Sequence, residues 1–336
     1  RRVGAKVDVV IPHRIQDGYG LSLHLLQQAK EDGVDTILTC DNGIAAIDEI
    51  AWAKAQKMTV LVTDHHAVPF EEHEGRRTEK KSLADAVVNP HQQDCGYPYK
   101  ELCGAGVAWN VIRVLYENYD MDKREAEDLL DFVAMATVCD VMSLTGENRI
   151  LVKEGLKRIR HTKNIGLQAL MQACNVQPEN ISAYHFGYVL GPCVNATGRL
   201  DTARHALRLV ETGQGTEAEE IARDLVDLNQ ERKELTLQGV EMAKKLCEEG
   251  GYENDPVLVL FLPDVHESIA GLIAGRIREM YNRPVFVLTR GEEGVKGSGR
   301  STENYSMYEN MCGCAELFTK LGGHPMAAGL SLPEEN

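Results

Sequence analysis

Carboxylates and imidazoles collect where short apolar runs end in the first half of the chain. Cys40-Asp41-Asn42-Gly43 closes the run that starts at Asp35, and Thr63-Asp64-His65-His66 closes the run that starts at Met58. Carboxylate and imidazole without thiolate form a ligand set for Mn²⁺ or another hard-to-borderline divalent cation. Asp64 is placed to orient a neighbouring imidazole from behind, and Gly43 lets the backbone turn sharply. A third carboxylate, Asp140, follows the apolar run Phe132–Cys139. Burying it without a cation or a donor nearby is expensive. Each group also has a plainer reading. Asp-His-His is equally an N-cap Asp followed by two surface histidines, and the plainer alternative for Asp140 is a C-terminal loop residue in water. The Asp-His-His motif alone divides evenly between the two. The second carboxylate cluster tips it toward metal, and the apolar Val141 and Met142 argue against a simple loop at Asp140.

These residues need elements to position them. Short apolar stretches at Val7–Ile11, Asp35–Cys40, Met58–Thr63 and Ala86–Asn89, separated by helical stretches such as Ala45–Gln56, predict βαβ units and a parallel sheet. Ligands of such sheets bind beyond the carboxyl ends of the strands, so the clusters at 41 and 64 should lie side by side. From Gly104 to Val210 the pattern is almost wholly helical. Thr216-x-x-Glu219 reads as a capping box opening a long helix with Ile221, Leu225, Leu228, Leu235, Met242 and Leu246 on one seam. At 1.5 Å per residue it would reach roughly 50 Å, enough to bridge two domains. Arg232 and Gly239 interrupt the seam, which weakens a coiled-coil reading. Strands return at Val257–Leu262, Val285–Leu288, Val295–Ser298 and Ala327–Leu332, with helices predicted over Ile269–Tyr281 and Met307–Leu321. The fold class is therefore α/β. It combines a parallel-sheet domain, a helical subdomain, a long connecting helix and a smaller α/β domain.

Composition narrows the classes. The chain has 336 residues, 43% of them hydrophobic and 26% charged, which excludes disordered and low-complexity classes and favours two domains. No apolar run approaches the roughly 18–20 residues of a membrane helix. With 36 Lys and Arg against 51 Asp and Glu the net charge is −15, so any contact with nucleic acid must come from a local groove or from metal ions. Nine scattered cysteines without a C-x-x-C pair read as reduced thiols of a cytoplasmic protein. The opening Arg1-Arg-Val-Gly-Ala-Lys-Val has neither an initiator Met nor a signal-peptide apolar region, and reads as the interior of a longer protein.

Asp64-His65-His66 is the signature of the DHH phosphoesterases. The surrounding text resembles the RecJ-type 5′→3′ exonucleases within them, which act on single-stranded DNA. The blocks that carry the likeness run in order. They are Ile11-Pro-His-Arg-Ile-Gln-Asp-Gly-Tyr-Gly-Leu-Ser22, Thr39–Gly43, Val62–His66, Val88-Asn-Pro90, Leu102–Ala108, Asp140 through Gly146-Glu-Asn-Arg149, and Gly191–Arg199. Ser298-Gly-Arg-Ser301 and Gly322–Gly329 follow, and look like the DHH-associated domain. The resemblance implies a two-metal phosphodiesterase, usually Mn²⁺-dependent with Mg²⁺ as an alternative, serving DNA repair and recombination. Asp41 would bridge the metals, His65 and Asp140 would be direct ligands, and Asp64 and His66 would support the metal shell and the scissile phosphate. Arg14, Asn195, Arg199, Ser298, Arg300 and His324 would hold substrate. Single-stranded DNA is the implied partner, with a single-strand-binding protein and a helicase beside it.

The implied domains are residues 1–212 for the DHH domain, 213–250 for the connecting helix and 251–336 for the substrate-binding DHH-associated domain. Two departures qualify the likeness. The family opens with a strand ending in Asp-x-Asp, which supplies two further metal ligands. No such motif precedes Val7–Ile11, and Asp8 lies inside that run. The chain also stops at Asn336, before the family's oligonucleotide-binding domain. On this reading it is a piece, truncated at both ends, that cleaves poorly. Cys193 stands where many relatives carry Arg. Two other readings remain. One is a catalytically silent scaffold of the same descent, which the intact Asp41, His65, His66 and Asp140 oppose. The other is a short-oligonucleotide or cyclic-dinucleotide phosphodiesterase, opposed by the Gly146–Arg149 and Gly191–Ala196 blocks.

Overall fold

The protein, described here from a computed structural model, is defined over residues 1–12, 20–73, 76–200, 203–291 and 294–335. It divides into two compact units, Arg1–Val226 and Asp227–Asn336. In the first unit α1 (Leu23–Glu31), β1 (Thr36–Cys40), α2 (Ile47–Ala55) and β2 (Thr59–Thr63) alternate. A hairpin, β3 (Phe70–His73) and β4 (Arg76–Glu79), precedes β5 (Ala86–Val88). β1, β2 and β5 form a parallel sheet in that order, with Cys40 opposite Thr63 and Thr63 opposite Val88. The shared register brings the carboxyl ends of β1 and β2 level. Leu26, Ile50, Ala53, Met58, Val60 and Val62 form the core between this sheet and its helices.

Helices then take over: α3 (Gly104–Asn118), α4 (Lys123–Glu127), α5 (Leu130–Cys139), α6 (Gly146–Ile159), α7 (Ile165–Ala173) and the short α8 (Ala183–His185). A π-helical turn at Phe186–Leu190 runs into α9 (Gly191–Leu200), and α10 (Ala203–Glu211) follows. α5 and α6 are an antiparallel pair packed without a gap. A Cβ on Gly155 of α6 would stand 2.2 Å from the Leu130 carbonyl oxygen and 2.3 Å from the Ala134 Cβ of α5. The long α11 (Gly215–Gly250) places Ala218, Ile221, Ala222 and Leu225 in the core of the first unit. Its later residues Val240, Ala243 and Cys247 lie in the core of the second.

The second unit continues with β6 (Leu258–Phe261), α12 (Glu267–Tyr281), β7 (Val285–Arg290), β8 (Val295–Arg300), α13 (Met307–Cys312), β9 (Lys320–His324) and β10 (Ala327–Leu332). Its five-stranded sheet runs β6-β7-β8-β10-β9. β6 and β7 are parallel, and the remaining pairs are antiparallel.

Three expectations change. Val7–Ile11 is not a strand: it finds no pairing partner among the described residues, and Val7, Val9 and Val10 stay exposed. A β-branched run becomes a strand only when another strand satisfies its backbone. The helix foreseen over Met307–Leu321 stops at Cys312, where Gly313 follows, and Lys320–His324 pairs with β10 instead. Helix α11 opens at Gly215, ahead of Thr216. Its start is held from outside by the Thr212 hydroxyl and the Arg208 guanidinium, both on Glu217, rather than by a Thr216 capping box.

Candidate metal centre

Asp41 and Asp64 emerge from neighbouring parallel strands, and backbone geometry separates their roles. The amide of Asp41 still donates to the Thr63 carbonyl at 3.0 Å, after which the chain leaves the sheet with Asp41 itself left-handed, at φ 64°. The turn folds back on Thr39, whose hydroxyl donates to the Asn42 carbonyl at 2.7 Å. The Asp41 carboxylate rests against the start of α3. A Cβ on Gly104 would lie 2.2 Å from its Oδ1, so only glycine fits there.

Asp64 is 1% exposed and spends its oxygens locally. Oδ1 accepts from the His65 amide at 2.7 Å, the His66 amide at 3.2 Å and His66 Nδ1 at 2.7 Å. Oδ2 accepts from the Ile44 amide at 3.0 Å. Burial pushes this carboxyl up, but the His66 ring and the three amides outweigh it and hold Asp64 below the ordinary carboxylate value. The same bond raises His66 above the usual imidazole value and fixes its ring with Nε2 pointing away from Asp64.

His65 Nε2 lies 3.0 Å from Asp41 Oδ1 and 3.4 Å from Asp140 Oδ2. Asp41 and Asp140 thus approach the same ring nitrogen from two other segments, Asp140 through its contact with His65 alone. His66 joins them, since the ligand atoms of Asp41, His65 and His66 all lie within 4.8 Å of one another. The hydrogen bond to Asp41 raises the His65 pKa, with the charges of Asp41 and Asp140 adding to it. Asp140 is raised, first by burial and then by the like charge of Asp41, against the opposing pull of His65. Among the described residues neither Asp41 nor Asp140 pairs with a lysine or arginine. Two carboxylates converging on one imidazole without a fixed cation form a site that a divalent metal would neutralise, and the residues fit such an ion.

Asp140 is held at the end of α5 by a tight finish. Val141 follows it in the left-handed region at φ 56°, with its amide on the Val138 carbonyl at 3.1 Å and the Met142 amide on the Thr137 carbonyl at 3.1 Å. A β-branched residue pays for that conformation, and Val141 is 87% exposed, so no packing recovers the cost. The Cys139 thiol, pushed up to about 11 by burial, donates to the Phe186 carbonyl at 3.4 Å and ties α5 to the π-helical turn. Contrary to the expectation from sequence, apolar Val141 does not keep Asp140 out of a simple loop, since both are exposed, and neither the left-handed Val141 nor the π-helical turn was read from sequence. A left-handed valine has no local signature.

The remaining candidates fall elsewhere. Asp64 stands behind His66 rather than among the converging ligand atoms. Arg14 lies outside the described residues, as does the side chain of Arg199 on α9. Asn195 is exposed on α9, while Cys193 is buried, its thiol donating to the Val189 carbonyl at 3.2 Å. In the second unit Arg300 of β8 is opposite Ala327 of β10, which is opposite His324 of β9, so Arg300 and His324 share one row of one sheet face. Ser298 is two residues before Arg300 on that face, and a Cβ on Gly271 of α12 would lie 2.8 Å from Ser298 Oγ and 2.9 Å from Arg300 Nη2. Sequence separation alone gave no hint of this grouping.

The DHH family N-terminal domain matches residues 1–137 and the DHHA1 domain matches residues 254–336. The single-stranded-DNA-specific exonuclease RecJ of Haemophilus influenzae is 37% identical over 354 aligned positions, which cover 100% of this chain and 60% of that protein. This chain therefore spans about three fifths of that relative's length. Among solved structures, RecJ of Thermus thermophilus in complex with Mn²⁺ matches at 31% identity and TM-score 0.79, over 93% of this chain and 44% of that one. An exonuclease RecJ bound to manganese matches at 32% identity and TM-score 0.82, over 99% of this chain and 80% of that one. Likeness of that extent in both sequence and fold, with both domain types in order, places the chain in the RecJ family of DHH phosphoesterases.

Proposed function

We propose that the protein is a metal-dependent exonuclease that hydrolyses phosphodiester bonds of single-stranded DNA from the 5′ end. The observation that carries this reading is the gathering of Asp41, His65 and His66, with Asp140 against His65, in a chain of this family. Asp41, His65 and Asp140 would hold Mn²⁺, with Mg²⁺ able to replace it, and a second ion would need the family's further Asp-x-Asp ligands. Bound divalent ions supply Lewis acidity and charge neutralisation at the phosphate.

The chain's own groups do the rest. Asp64 accepts the Nδ1 proton of His66 and so fixes the tautomer and aim of that ring. His66, 61% exposed and raised in pKa, presents Nε2–H to a phosphate oxygen. In the second unit the Arg300 guanidinium, the Ser298 hydroxyl and the His324 ring would hold substrate phosphates, with Arg14, Asn195 and Arg199 doing so in the first. The division of labour we assign is catalysis to residues 1–212, connection to 213–250 and substrate binding to 251–336. An enzyme that takes single strands depends on others to expose them, so a helicase and a single-strand-binding protein are its natural partners, and its DNA places its work in the cytoplasm. Among the described residues no helix is long and apolar enough to cross a membrane.

The test is hydrolysis of a labelled single-stranded oligonucleotide by the purified chain with Mn²⁺, set against a duplex and a chelated control. Stepwise loss from the 5′ end of the single strand alone, however slow, supports the reading. Cleavage of duplex and single strand alike, or cleavage that survives chelation, overturns it.

A further inference from the structure

Helix α6 carries a row of cations that the metal centre does not use. Arg149, Lys153, Lys157 and Arg160 recur at intervals of four, four and three residues, and all are exposed. At 3.6 residues per turn they fall within one quadrant of the helix. The quadrant lies away from Asn148, Gly155 and Ile159, which face the protein interior. With Leu144, Val152 and Leu156 the four cations line a trough of about 460 Å³.

Ion pairing sets this row apart from the basic residues around it. Arg158, on another side of the helix, is tied to Glu127 at 2.5 Å and Asp128 at 3.3 Å, and Lys163 reaches Asp128 at 3.6 Å. Lys157 pairs with Glu154 at 2.6 Å. Arg149, Lys153 and Arg160 form no ion pair within 4 Å among the described residues, although Glu154 lies near enough to Lys153 to feel its charge. In a chain of net charge −15, four cations facing one carboxylate, Glu154, on one face amount to a local reversal of sign.

We propose that this face of α6 is a track for the phosphate backbone of single-stranded DNA running away from the metal centre. The proposal deepens the exonuclease reading and rests on it. Position argues for DNA as the occupant. α5 ends at Asp140 and α6 returns antiparallel to it, so Arg149 is nearest the Asp140 end and Lys153, Lys157 and Arg160 are successively farther. Steps of four residues rise about 6 Å each along a helix, comparable to the phosphate step of an extended strand. The exposed Leu144 and the partly buried Leu156 add a little apolar surface beside the cations, so the affinity of the track rests on its charges.

The test measures binding of 5′-phosphorylated oligothymidylates of about 4 and about 16 nucleotides, bracketing the usual site sizes. The chain is held in chelator so that nothing is cleaved, and the variant is Lys153→Gln/Lys157→Gln/Arg160→Gln. The Kd for the longer strand should rise roughly tenfold at low salt, and the salt slope should fall by about 2, three contacts at about 0.7 each. Binding of the shorter strand, and its turnover once Mn²⁺ is restored, should be unchanged. Lys153→Arg/Lys157→Arg should bind the longer strand like the parent. An unaltered Kd and slope for the longer strand, in a parent that cleaves it, overturns the track and leaves the exonuclease reading standing. A parent that binds neither strand overturns both. If the variant binds DNA normally but loses an acidic leucine-containing peptide that the parent binds, the trough is a protein dock and the track is wrong.

Discussion

Asp41 reaches the cluster through a left-handed turn and an absent side chain, and both can be tested. Asp41→Asn keeps the turn and removes the charge. Turnover on single-stranded DNA should fall roughly 10²–10³-fold, the scale for losing one preorganised electrostatic group, and near-parental turnover would refute the assignment. Gly104→Ala puts a methyl 2.2 Å from Asp41 Oδ1 and should weaken Mn²⁺ binding in a calorimetric titration while leaving His66 in place. Asp64 is a different case. Its folded pKa is depressed, so its contribution to stability is full above the ordinary value of 3.8 and drains away as pH falls through the folded value. Asp64→Asn should therefore cost roughly 1–3 kcal/mol at neutral pH. In melts of the metal-free chain between pH 3 and 7 it should also lose that acid-side slope. An unchanged slope would show that Asp64 does not hold His66 as a carboxylate. The Asp-His-His motif made these residues legible, but not that Asp64 turns inward while Asp41 turns out. That difference lies in hydrogen bonds to Ile44, His65 and His66 which no spacing rule encodes.

At the scale of elements, alternation of short β-branched runs with amphipathic stretches was enough to place β1, α2, β2 and β5, because each apolar run had a neighbour to pair with. The same reasoning failed at Val7–Ile11, which has the right residues and no partner. It failed again beyond Met307, where apolar spacing of about three to four continued past Gly313 although the chain had turned back to pair with β10. The β3–β4 hairpin went unseen because Glu71, Glu72, Arg76 and Arg77 mask any strand pattern. The α5–α6 pair makes its own prediction. Gly155→Ala must push α6 off Leu130 and Ala134, which should cost roughly 1–3 kcal/mol. Since α5 carries Asp140, Mn²⁺ affinity should fall together with the melting temperature. A variant that melts and binds metal like the parent would show that the helices have slack.

For the whole molecule, every apolar cluster lies within one unit or the other, and none includes a residue of the metal centre. The fold therefore needs no ion to form, but ion binding is linked to its stability. Mn²⁺ should raise the melting temperature in a concentration-dependent way, by an amount corresponding to about 2.7 kcal/mol at a hundredfold excess over Kd. Asp41→Asn should abolish most of that rise, and an equal rise in both proteins would place the ion elsewhere. Composition excluded a membrane helix and bulk attraction to DNA from the outset. It was silent on the local reversal of charge along α6, which appears only when the ion pairs of Arg158 and Lys163 are seen to leave Arg149, Lys153 and Arg160 outside any ion pair among the described residues.

Val141 and Asp41 occupy the same unfavourable backbone region for different returns, and laboratory evolution should separate them. The left-handed region costs an ordinary residue roughly 1–2 kcal/mol, which glycine avoids and asparagine partly avoids. A library selected only for survival of heating should accumulate Val141→Gly and Val141→Asn, and should tolerate Asp41→Asn as well. A library selected for turnover should accept the changes at 141, provided Asp140 keeps its place, and should reject every change at 41. Sequencing the two populations would distinguish strain that the chemistry requires from strain that merely accompanies it.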